Sequence, residues 1–166
     1  VNVFQMDIED LIVARRVEED RFVGINAGKS RHRGLEVMLN YGQNISEDIQ
    51  LNWFTNFTYN DFEFTDFIDE DQDFSGNQIP AIPKYDFQIG FNGNYKQDWM
   101  LNLNSQFVGR IPLNDANSLY TDKYQLFNLK LSYRTFLFDS ESLFSFGINN
   151  LFDEHYAASV LPNAVG

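Results

Sequence analysis

The chain has 166 residues, of which 43% are hydrophobic and 16% aromatic, with 17 Phe, 8 Tyr and no Cys. Its formal net charge of −12 argues against a nucleic-acid surface, which needs a basic stripe to displace counterions. The lack of cysteine removes disulfide and thiolate chemistry, and no apolar run approaches the roughly 18 residues of a membrane helix.

Taken in order, the chain alternates. Val1 to Arg16 reads as a first, irregular strand around Val3, Ile12 and Val13, and Glu18, Glu19 and Asp20 read as a polar turn. Phe22 to Tyr41 is a second run, with Leu35, Val37, Leu39 and Tyr41 on one face and Glu36, Met38 and Asn40 on the other. Gly42 to Asp48 is a short connection. Ile49 to Tyr59 puts Ile49, Leu51, Trp53, Phe57 and Tyr59 on odd positions and mostly carboxamides on even ones, the period of a strand with two unlike faces. Asp61 to Pro83 is acidic and carries prolines, which cannot donate to a ladder, so it reads as a long loop.

Phe87, Ile89, Phe91 and Tyr95 alternate with Gln88, Gly90, Asn92 and Asn94. Lys96 to Asp98 is a tight turn. Trp99, Leu101, Leu103 and Phe107 alternate with Asn102, Asn104 and Gln106. Gly109 to Asp122 is a second long loop. Phe127, Leu129, Leu131 and Tyr133 form the next apolar face, Phe138 to Glu141 a short turn, and Phe144, Phe146 and Ile148 the last face. The pattern predicts about seven antiparallel strands.

The connections run moderate, short, long, short, long, short. In an up-and-down sheet this places the short turns at one end and the long loops at the other, as in outer-membrane barrels. A barrel is compatible with modest hydropathy, because its lipid face uses every second residue. Tyr41, Tyr95, Trp99 and Tyr133 lie near short turns and share the apolar parity, which fits a membrane-interface girdle; ordinary core aromatics at strand ends are the other reading. The opposite face is rich in Asn, Gln, Thr and Ser, which suits a hydrated interior.

Two stretches carry a family resemblance. Gly147 to Tyr156, GINNLFDEHY, resembles the near-C-terminal signature of TonB-dependent receptors, the large outer-membrane β-barrels of Gram-negative bacteria. Asn26 to Asn40, NAGKSRHRGLEVMLN, is similar to a strand that in that family reads N-x-G-K-x-R-x-x-G-x-E. The resemblance implies an all-β fold, an antiparallel up-and-down transmembrane segment of a roughly 22-stranded barrel. It implies a late piece of that barrel, over residues 1–166, with plug, early strands and closing strand outside it. It also implies active import of a large, scarce solute, energised through TonB. Iron–siderophore complexes are the leading cargo expectation, with cobalamin, haem and oligosaccharides as further cargoes. TonB would be met through the absent N-terminal part, and the acidic loops lean towards a neutral or cationic cargo. A soluble β-sandwich that binds carbohydrate is the alternative; its apolar faces would have to meet each other.

No catalytic residues, cofactor site or metal site are assigned. Asp69-Glu70-Asp71-Gln72-Asp73 opens like a calcium loop, but Phe74 and Pro80 stand where that loop needs Gly and Glu. His32 and His155 have no histidine or cysteine at ligand spacing, and Asp61 with Glu63 is too ordinary a pair to imply glycosidase work. Lys29, Arg31 and Arg33 share the parity of Leu35, Val37 and Leu39. Just above a lipid band they would contact lipopolysaccharide phosphates or form plain rim salt bridges, unless a bulge at Gly34 flips the parity.

Overall fold

The computed structural model describes residues 1–18, 21–26, 28–69 and 71–163, without the side chains of 13–16 and 18. Val13's side chain, Glu19, Asp20 and Glu70 therefore lie outside the described residues. Eleven strands are present in it: β1 Asn2–Glu9, β2 Ile12–Glu18, β3 Arg21–Asn26, β4 Lys29–Asn44, β5 Ile49–Asp66, β6 Ile68–Asp69, β7 Gln72–Asp73, β8 Tyr85–Tyr95, β9 Trp99–Val108, β10 Tyr124–Leu137 and β11 Ser140–Ile148. One antiparallel sheet of seven strands, in the order β1-β4-β5-β8-β9-β10-β11, forms the body; β2–β3 and β6–β7 are two-stranded pieces within connections. The sheet is not closed: β1 and β11 are its edges.

The seven-strand expectation holds, with three changes in detail. The first two runs each break, at Asp10 (φ 57) and Gly28 (φ 70), so the β2–β3 hairpin stands apart from the sheet instead of continuing it. β5 runs on to Asp66, and the segment expected to be loop from Asp61 onward is therefore strand at first. Its acidic side chains find cations on β4, which makes an extended strand stable where local composition suggests a solvated loop. Finally, Gly34 carries no bulge: the β4–β5 register is continuous from Ser30 to Asn44, and its one irregularity lies between Lys29 and Ser30.

Connections sort by length as expected. Residues 45–48, 96–98 and 138–139 link strands at one end; residues 10–28, 67–84 and 109–123 do so at the other. The β10–β11 link is a two-residue hairpin in which Phe138 (φ 49) and Asp139 (φ 61) are both left-handed, the turn whose twist matches its strands.

The described residues form no second layer over the sheet. Ile89 (46%), Trp53 (45%) and Leu103 (41%) are exposed on the odd-numbered face, and Leu51, Phe91 and Leu129 are half-buried and not sealed. This removes the soluble-sandwich alternative, which requires two facing sheets. Deep burial sits instead at the long-connection end, where β5 runs into residues 67–84. Phe64 (0%) and Phe67 (1%) are enclosed there by Leu11, Ile25, Phe74 and Ile79.

Candidate functional site

Three surfaces can do work: the odd face, the even face and the long-connection end. On the odd face, register sets the rows. Tyr59 pairs Tyr85 at one limit, and Tyr95, Trp99 and Tyr133 follow one another at the other. Rings touch along both limits, with centroids 5.5 Å apart for Tyr59–Tyr85 and 4.4 Å for Trp99–Tyr133. Between them lie Phe57, Phe87, Ile89, Phe91, Leu103 and Leu129. β8 carries tyrosine at both ends of its 11 residues. At ~3.4 Å per residue its ends stand about 34 Å apart; tilted by ~40°, that is roughly 26 Å of height, against an apolar band of about 25 Å in outer-membrane barrels. Tyr41 is not in the lower row. It pairs Trp53, which pairs Phe91, four residues along β8 from Tyr95.

One row beyond Tyr59 the odd face becomes charged. Arg33 Nη2 lies 2.6 Å from Asp61, Arg31 Nε 3.0 Å from Asp7 and Lys29 Nζ 3.1 Å from Glu9. Glu63 sits between Arg31 (3.8 Å) and Arg33 (3.6 Å), and Lys84 reaches Asp61 at 3.9 Å. The structure thus brings Lys29, Arg31 and Arg33 together on one face, each already beside a carboxylate.

The even face of β8–β10 is a chain of amides. Asn150 donates its backbone N–H to Asn128 Oδ1 (2.9 Å), Asn128 Nδ2 donates to Asn104 (2.8 Å), Asn104 to Asn102 (3.1 Å) and Asn102 to Asn92. A backbone N–H can only donate, so the first link fixes the direction of all the others. Asn128, Asn104 and Asn102 each donate one of their two amide N–H groups within this chain. Asn56 bonds Gln88 and Ser132 bonds Ser145 in the same manner. Phe54 lies down on this face over Gly90: a Cβ there would stand 2.1 Å from Phe54 Cζ.

The long connections are stitched to one another. Gln78 N–H donates to Asn117 Oδ1 (2.7 Å) and Asn117 Nδ2 donates back to Gln78 O (2.9 Å). Asn77 Nδ2 donates to Asp115 O (2.8 Å), Ala81 N–H to Pro112 O (2.9 Å) and Asn163 N–H to Leu113 O (2.8 Å). Asp115 accepts from Asn163 Nδ2 at 2.8 Å. Burial pushes the Asp115 carboxyl above its ordinary range against that bond, and nearby Asp69 adds repulsion. Asp73 is held below its ordinary range by hydrogen bonds from Ser75.

Now the relatives. A family model described as TonB dependent receptor-like, beta-barrel matches residues 1–151. The chain belongs to the TonB-dependent receptor β-barrel family. Among solved structures it is similar to the crystal structure of BauA, the ferric preacinetobactin receptor from Acinetobacter baumannii, at 21% identity and a TM-score of 0.67. The match covers 97% of this chain and 24% of BauA, so the chain spans about a quarter of that receptor's length, and the likeness is one of fold. It is a family of receptors and not of enzymes. The open sheet of seven strands matches a portion of such a barrel.

The remaining sequence candidates do not assemble. Among the described residues no cluster of three or more His, Cys, Asp or Glu could hold a metal, and this includes what is described of the 69–73 segment. His155 is exposed. His32 is half-buried and bonds Ser30 Oγ through Nε2 at 3.0 Å. Sequence reasoning missed the upper tyrosine pair, Tyr59 and Tyr85. The signal was there in Tyr85 and Tyr95, which share a parity at opposite ends of one strand.

Proposed function

We propose that the chain is late barrel wall of an outer-membrane receptor that imports a scarce, large solute, with an iron–siderophore type complex as the leading cargo and TonB as the source of energy. The observation that carries this reading is the odd face: exposed, apolar, bounded by tyrosine at both limits, and of membrane height. Its outer surface then lies in lipid and lipopolysaccharide of a Gram-negative outer membrane. Tyr95, Trp99 and Tyr133 serve as interface aromatics on the short-turn side, and Tyr41 as a ring further into the apolar band. The even face lines a wet bore, and the stitched connections form part of the substrate mouth. The fold likeness to a ferric siderophore receptor supports the cargo class, and family membership supports energisation through a plug and TonB-contacting segment elsewhere in the receptor.

The lipopolysaccharide contact at Lys29, Arg31 and Arg33 belongs to the same reading. The charged rows begin one step beyond Tyr59, at headgroup height, and there a phosphate competes with four carboxylates for the cations. Neutralising all three should reduce co-purifying lipopolysaccharide; unchanged retention counts against the contact.

Uptake decides the main reading. Cells whose only candidate receptor is the full-length protein should accumulate a radiolabelled ferric siderophore and lose that uptake when TonB is deleted. Uptake that ignores TonB, or no uptake of any ferric chelate, contradicts it.

A further inference from the structure

Inside the apolar band of the odd face two polar side chains meet. Gln125 lies in the register row of Phe57, Phe87 and Phe107, one row inside the Tyr59–Tyr85 limit. Its Nε2 donates to Ser105 Oγ at 3.0 Å. Ser105 is 9% exposed and sits in the next row, between Ile89 and Phe127. A small side chain between two large ones leaves a hollow, which opens as a groove of about 310 Å³ lined by Phe91, Leu103, Phe127, Leu129 and Leu151.

Leu151 reaches this groove through a bend after β11. Asn150 is left-handed (φ 53), and Leu151 N–H then donates to Phe127 O at 2.8 Å. Phe152 packs edge to face on Phe127 at 5.0 Å. The segment that carries the family resemblance thus supplies one wall.

The lining and the upper end make different demands. Apolar walls on a face in hydrocarbon take a methylene chain. The upper end is Gln125, which is exposed and spends one amide N–H on Ser105. Among the described residues its other N–H and its Oε1 have no partner, and an unpaired amide is costly at the edge of hydrocarbon. Any lipid ester carbonyl can accept the second N–H. Oε1 needs a donor, and the acyl and ester region of a diacyl phospholipid has none. A chain with a hydroxyl near its head, or with an amide link, has one. The groove lies towards the long connections, which the import reading places outside the cell. The lipid there is lipopolysaccharide, whose acyl chains carry both groups.

We propose that this groove holds one hydroxylated acyl chain of lipopolysaccharide, with the tail on Phe91, Leu103, Phe127 and Leu129 and a hydroxyl or amide N–H of the chain donating to Gln125 Oε1. This rests on the lipid-facing reading of the odd face. It adds a site for the acyl part of the lipid whose phosphates meet Lys29, Arg31 and Arg33.

The test titrates the purified full-length receptor in detergent with two lipids and counts bound copies by native mass spectrometry. One is the dephosphorylated, acylated disaccharide of lipopolysaccharide, which offers the cations nothing; the other is phosphatidylethanolamine. The wild type should hold the first about 10-fold more tightly. Gln125→Leu should weaken it about 10-fold, the equivalent of ~1.4 kcal/mol, and change phosphatidylethanolamine less than about twofold. Ser105→Leu, which fills the hollow, should weaken it by a similar factor. Neutralising Lys29, Arg31 and Arg33 should leave the preference as it is. Equal holding of the two lipids by the wild type, or a preference that survives Gln125→Leu, overturns the site. A loss common to both lipids in Gln125→Leu reduces the groove to a general apolar fit, and also overturns it. A receptor without the preference, whose spin label at Ile89 still relaxes with dissolved oxygen, defeats the site and leaves the odd face in lipid. A label at Ile89 screened from oxygen defeats the lipid-facing reading, and the site with it.

Discussion

Two faces of the same strands carry two different chemistries. Along β8 the odd positions read Tyr85, Phe87, Ile89, Phe91, Gly93, Tyr95 and the even ones Asp86, Gln88, Gly90, Asn92, Asn94. The backbone is common to both, and its ladder is satisfied within the sheet. The odd side chains in the middle of the band make mainly ring and aliphatic contacts; Thr55 donates to Gln88 O and Gln125 donates to Ser105 Oγ. The even side chains bond one another in a directed chain. On the proposed reading, stability on the first face depends on apolar matching to what lies outside, and on the second on polar satisfaction.

That contrast can be broken by moving charge between the faces. Leu103→Arg on the odd face should cost the full-length barrel ~2–4 kcal/mol in bilayers, while Asn102→Arg next to it should cost only the ~1 kcal/mol of its two lost amide links. Denaturant unfolding from lipid vesicles gives both numbers. Equal costs would mean that the faces do not see different solvents.

A gentler change sharpens the even face. Gly90→Ala must push Phe54 off the wall and should destabilise by about 1–3 kcal/mol. Gly42→Ala is the control, because its new Cβ meets nothing nearer than Asn52 Oδ1 at 3.9 Å, and it should be close to neutral. Smaller again, Asn128→Ala takes a partner from both Asn150 N–H and Asn104 and should cost about 1 kcal/mol, more than Asn92→Ala at the end of the chain.

How much of this contrast was readable in the sequence? The faces, the strand number and the sorting of connections were, because period-2 alternation and turn residues are local signals. The breaks at Asp10 and Gly28 were not: both depend on a hairpin finding its own pairing. Acidity is a local cue, and it points to loop at Asp61 and Glu63. They are strand because Arg31 and Arg33, distant in sequence, sit opposite them. Tyr41 illustrates a related gap, since parity places it on a face but only register places it in a row. The stitching of Gln78 to Asn117 and of Asn77 to Asp115 joins residues that no periodicity connects.

The smallest expected effect lies in that stitching. Asp115 has a raised pKa in the fold, so the folded state holds its proton more firmly than the unfolded one. Its ionisation therefore opposes folding above the raised pKa. As pH falls through that value towards the ordinary aspartate range, the connections should gain stability, and below the ordinary range the gain is complete. Amide exchange of residues 109–123 should slow on mild acidification once intrinsic rates are corrected. Asp115→Asn, which can still accept from Asn163, should remove the pH dependence.

The central claim is that odd residues meet hydrocarbon and even residues meet water. Spin labels placed singly at Gln88, Ile89, Asn92, Leu103 and Asn104 of the full-length receptor in bilayers test it directly. Labels at Ile89 and Leu103 should relax with dissolved oxygen, and those at Gln88, Asn92 and Asn104 should be screened from oxygen or accessible to a water-soluble nickel chelate. Oxygen accessibility that fails to alternate, or alternates in the opposite sense, would contradict the account.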